Sequence, residues 1–116
     1  MESYLVLLHR SATARRELSP DEIQDIIGKY RAWGQRLRNA GRIQGGNKLE
    51  DGTGRVMRGK GAEVRISDRP FTETKDVIGG YYLIQAESYQ EAVDLCRDCP
   101  HLEYGSGIEI RRIEAT

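Results

Sequence analysis

The chain has 116 residues, enough for one domain with a modest core and too few for two. Its 18 basic and 18 acidic side chains cancel, which argues against a nucleic-acid binder that relies on general phosphate attraction. Charged residues at 31%, apolar residues at 38% and a visible apolar periodicity describe a folded, soluble domain.

The N-terminus, MESYLVLLHR, has an acid at position 2, no small-residue cleavage site and no run near the roughly 20 apolar residues that span a bilayer. It reads as a first strand rather than a signal peptide, so the expected location is the cytoplasm, with reduced thiols. Tyr4 to Leu8 is apolar at every position, the pattern of a strand covered on both faces.

Ser19-Pro20-Asp21-Glu22 starts a helix: Ser19 as N-cap, Pro20 in the first turn and Glu22 closing a capping box. Ile23, Ile26, Ile27, Tyr30, Trp33, Leu37 and Ala40 then recur every three or four residues, one apolar stripe that Gly41 is placed to end. Acids at its start and Lys29, Arg31, Arg36, Arg38 and Arg42 towards its end complement the helix dipole, as on a solvated helix.

Seven glycines between 41 and 61 indicate turns and short strands, with a hairpin of Arg55–Arg58 against Ala62–Ile66 across Gly59-Lys60-Gly61. A charged segment, 68 to 76, leads into a strand from Val77 to Ala86. Ser88 and Glu91 repeat the capping signature and open a second helix that Pro100 is expected to stop. Gly107 to Ile113 alternates Ile108 and Ile110 with Glu109 and Arg111, a half-buried last strand.

The order is β-α-(β hairpin)-β-α-β, the ferredoxin-like split βαβ arrangement, an α+β fold. Both helices then lie on one sheet face, and the two doubly apolar strands sit in the middle. The other face needs a lid, and a second copy of the chain is the economical one, so the expected assembly is a homodimer forming a dimeric α/β barrel.

Asp68, Pro70 and Phe71, then Glu73-Thr74-Lys75 and Gly79-Gly80-Tyr81, resemble the signature of the YCII-related family in its DGPF branch. Trp33, Gly41, Cys99-Pro100-His101 and Gly107-x-Glu109-x-Arg111 extend the resemblance over nearly the whole chain. Arg69 stands where that branch has glycine. The resemblance implies the same barrel, an activity that is largely uncharacterised, and an association of the branch with extracytoplasmic-function sigma factors. Relatives are proposed to use a His–Asp pair in a cleft. Here the first helix carries no histidine, and Cys99 stands where relatives have Asp before Pro.

The candidate site gathers Asp68 and His101 for acid–base work, with Arg69, Glu73, Lys75, Tyr81, Tyr82 and Arg111 as ligand contacts. Glu73 and Lys75 share a side if their segment is extended. Tyr81 and Tyr82 point to opposite faces, one under the helices and one towards the dimer cavity. His9 reads as a surface residue at a strand end. Two histidines without paired carboxylate spacing make no metal site, and no cofactor fingerprint is present. Cys96-Arg97-Asp98-Cys99 lies at a helix C-terminus, where the dipole disfavours thiolate, so these are structural cysteines. Two functions are expected to compete: a small-molecule-binding or catalytic barrel for a polar or anionic ligand, and a non-catalytic module working with a sigma factor.

Overall fold

The computed structural model describes residues 1–11, 17–68 and 76–116. Strands β1 (Glu2–Ser11), β2 (Ile43–Lys48), β5 (Asp76–Ala86) and β6 (Gly107–Arg112) form one antiparallel sheet in the order β2-β5-β1-β6. The two strands read as apolar on both faces, β1 and β5, take its centre. Helices α1 (Pro20–Asn39), α2 (Tyr89–Cys96) and the short α3 (His101–Tyr104) accompany it.

Local chemistry sets the helix ends. Ser19 Oγ accepts from Glu22 N at 3.1 Å and Glu22 Oε1 accepts from Ser19 N at 3.2 Å, a closed capping box. Past Ala40 the chain turns through Gly41 at φ +72°, which a residue without Cβ adopts freely. Ser88 caps α2 through Glu91 N at 3.2 Å. That helix ends at Cys96 rather than running to Pro100, which instead heads α3.

Tyr4, Val6 and Leu8 of β1 and Ile84 and Ala86 of β5 face the helices and are buried with Trp33, Leu37, Ile43, Ala92, Cys96 and Cys99. Each large apolar side chain taken from water there stabilises the fold by about 1.5–3 kcal/mol. The stripe on α1 is unequal along its length: Trp33 and Leu37 are buried, Ile26, Ile27 and Tyr30 half-buried, and Ile23 and Ala40 exposed. Asp98 fastens α1 to the turn after α2 by accepting from Trp33 Nε1 at 3.0 Å and pairing with Arg36.

Alternation sends Leu5 and Leu7 of β1 and Leu83 and Tyr81 of β5 to the opposite face. Leu5 pairs with Leu83 and Leu7 with Tyr81, and all four are only half-buried. Among the described residues no helix covers this face.

Two sequence expectations are corrected. The hairpin does not join the main sheet, whose fourth strand is β2, one of the short strands expected after position 41; its Gly45 and Gly46 carry no side chain to show a period. Gly46 is small for a reason: a methyl there would sit 2.7 Å from the Tyr82 ring and 2.8 Å from the Tyr81 carbonyl. The hairpin pairs β3 (Arg55–Arg58) with β4 (Arg65–Asp68), not with 62–66, because Gly61–Glu63 closes a single 3₁₀ turn that lengthens the loop.

Candidate functional site

The sheet brings three titratable side chains together at one corner of the uncovered face. His9 lies near the end of β1, beyond a register shift between Leu8 and His9. A bulge of this kind re-aims the residues that follow it. The His9 ring stands between Asp76, at the start of β5, and Glu109, in β6. Nε2 is 3.0 Å from Glu109 Oε1 in a hydrogen bond, and Nδ1 is 3.0 Å from Asp76 Oδ2. The second contact is close but without hydrogen-bond alignment. Ser106 Oγ donates to the other Asp76 oxygen at 2.8 Å, and Ser106 N donates to the His9 carbonyl at 3.0 Å, so the carboxylate and strand are held by one residue.

The carboxylates are the accessible part of this cluster. Asp76 and Glu109 side chains are 55% and 42% exposed, whereas His9 is 25% exposed with Nδ1 enclosed. The hydrogen bond with His9 holds the Glu109 carboxyl below its ordinary value, and Arg111, 3.5 Å from Glu109 Oε2, adds to the effect. Tyr81 lies on the same sheet face, its hydroxyl accepting from Asn47 Nδ2 at 3.1 Å. The corner thus offers two carboxylates flanking an imidazole, with the Arg111 cation beside Glu109. Such a set can hold hydrogen-bond donors and exchange a proton with a ligand at either carboxylate.

The residues expected from sequence are dispersed. Tyr81 and Arg111 share the uncovered face. Tyr82 is on the helix side, its ring edge-on to Trp33 at 5.1 Å between centroids, and burial raises its hydroxyl pKa. His101 is also on the helix side and buried. Its Nδ1 is 2.8 Å from Tyr30 Oη and its Nε2 is 2.5 Å from the His9 carbonyl, so both ring nitrogens bind α1 and β1 together. Asp68 closes β4 away from both, paired with Arg55 at 3.1 Å. Arg69, Glu73 and Lys75 lie outside the described residues. Cys96 and Cys99 are buried free thiols; burial pushes Cys96 up to about 12 and Cys99 upward, far from reactive thiolates.

His9 was set aside in the sequence because its partners are far along the chain, Glu109 being 100 positions away. The legible signal was polarity: His9 ends an otherwise apolar strand, and Glu109 alternates with two isoleucines in the last one.

An α+β domain with a four-stranded antiparallel sheet, helices on one side and an acid–imidazole–acid corner on the other is the class defined so far. The chain belongs to the YCII-related domain family, whose model matches residues 3–115. An uncharacterised protein of Rhizobium meliloti (strain 1021) is 28% identical over 105 residues, 90% of this chain and 85% of that protein. Among solved structures, the 5-chloro-2-hydroxyhydroquinone dehydrochlorinase TftG from Burkholderia phenoliruptrix AC1100, in complex with 2,5-dihydroxybenzoquinone, is 20% identical. That match covers 98% of this chain and 95% of TftG, with a TM-score of 0.49.

Proposed function

We propose that this protein is a homodimeric α/β barrel that binds a small polar molecule between its two sheets and transfers a proton to or from it. The apolar centre of the uncovered face, Leu5, Leu7 and Leu83, supplies the surface for a second copy, and two-fold packing follows from a self-complementary patch. The corner of that face would then be partly closed from water, where charged groups act more strongly.

The observation that carries this reading is the His9 imidazole held 3.0 Å from both Asp76 and Glu109. Glu109 and Asp76 are the groups that meet the ligand. His9 is a positioning residue that hydrogen-bonds Glu109 and stands against Asp76, setting where the two acids lie. Arg111 stands beside Glu109, a cation suited to an anionic edge of the ligand, and Tyr81, farther across the same face, offers a hydroxyl to a longer one.

Native mass spectrometry of the purified protein, followed by denaturation and analysis of released small molecules, tests this. A metabolite carried by the native dimer and lost in Glu109→Gln, with the fold intact by circular dichroism, is the expected result. Equal retention by wild type, Glu109→Gln and Asp76→Asn would overturn the site.

A further inference from the structure

The β3–β4 hairpin projects from the body of the domain. Neither strand packs appreciably on any element except the other, and the chain measures 47 × 45 × 18 Å with a radius of gyration of 16.3 Å. A compact domain of about 100 residues has a radius of gyration near 13 Å, so the molecule is drawn out. An isolated two-stranded hairpin is only marginally stable in water. This one also displays Met57 and Ile66, directly paired across the strands, at 65% and 64% exposure. Arg55 and Asp68 close the same face with their ion pair. Such a face needs a surface to lie on, and its own domain supplies none among the described residues.

We infer that this arm docks on a second copy of the chain, burying the Met57–Ile66 face against the partner's body. The inference rests on the dimer proposed above and adds to it where the arm goes. Three observations select that occupant over an unrelated protein. The arm leaves the sheet after β2 and the chain re-enters it at β5, the two neighbouring strands that carry half of the uncovered face, so arm and face are continuous. Each molecule has both an unsupported arm and an uncovered apolar face, so a two-fold pair satisfies both at once. Finally, the arm, residues 55–68, holds Arg55, Arg58, Lys60 and Arg65 against Glu63 and Asp68; with 18 charges of each sign overall, the rest of the chain is net acidic by two. Arg58 and Arg65 stand directly opposite each other, a like-charged pair that is unfavourable unless negative potential is near. Among the described residues neither has an acidic partner. An acidic partner surface supplies that potential.

The test is sedimentation equilibrium of the full chain, wild type beside Met57→Asp/Ile66→Asp, with circular dichroism melting curves on both. Both sites are exposed, so the variant is expected to keep the wild-type circular dichroism spectrum and to melt lower only by what a weaker dimer loses. Its dimer dissociation constant should rise about tenfold or more, the range of a truncated anchor. An unchanged constant would overturn the arm's docking while leaving the sheet-to-sheet dimer in place. A wild type that stays monomeric would remove both. As a second readout, trypsin should cleave after Arg58, Lys60 and Arg65 on dilution and spare them at high concentration. Cleavage at equal rates at both concentrations would count against the docking even if the variant failed to fold.

Discussion

The two histidines, on opposite faces of one sheet, show how burial divides structure from function in this domain. His101, on the helix side, is buried and spends both ring nitrogens on neutral partners, the Tyr30 hydroxyl and the His9 carbonyl. It acts as a rivet between α1 and β1. His9, on the other side, is flanked by two carboxylate side chains that are about half exposed. A buried imidazole with both nitrogens partnered adds stability; an imidazole among accessible acids positions them for something that arrives from outside. Among the described residues the sheet is thus covered on one side and open on the other.

The largest effect should come from the covered side. Trp33→Ala removes a buried ring that packs on Tyr82 and donates to Asp98, and should cost about 3–5 kcal/mol of unfolding free energy in urea titrations. Gly105→Ala comes next: a methyl there overlaps the His101 ring, and overpacking of this kind costs about 1–3 kcal/mol. If Gly105→Ala melts like wild type, His101 is not the rivet described. On the open side, Leu5→Asp should change the stability of the isolated subunit by less than about 1 kcal/mol while shifting the protein to monomer in sedimentation. Loss of folding in that variant would mean the face belongs to the subunit's own core.

The smallest effects are electrostatic. Glu91 is held below its ordinary 4.5 by the Glu87 backbone N–H and by Arg42, and Glu109 by His9 and Arg111. Because folding depresses both, their contribution is complete above pH 4.5 and fades as pH falls through the lower folded values. In carboxyl-carbon NMR titrations His9→Ala should return Glu109 towards 4.5 and leave Glu91 in place. A Glu109 that does not move would separate the two residues.

Much of this asymmetry is legible in the sequence. Residues that act through near neighbours announce themselves: Ser19 with Glu22, Ser88 with Glu91, Gly41 after the helix. The doubly apolar runs at Tyr4–Leu8 and Tyr81–Ile84 correctly place β1 and β5 at the centre of the sheet and imply a face left open. What the sequence conceals depends on long-range register. β2 has two glycines where a period would show. The arm's pairing shifts because a 3₁₀ turn absorbs three residues. The His9 corner exists only once β1, β5 and β6 are laid side by side, so neither Asp76 nor Glu109 points to it alone. Tyr82 and His101, both suggestive as letters, are taken up by packing against α1.

The central claim, that the Leu5–Leu83 face is covered by a twin, is tested most directly by isotope-filtered NMR. Equal amounts of labelled and unlabelled chain would be mixed, unfolded and refolded together. Intermolecular contacts from the methyl groups of Leu5, Leu7 and Leu83 are the predicted result. A dimer whose intermolecular contacts arise only elsewhere, or a chain that stays at 13.1 kDa, would contradict it.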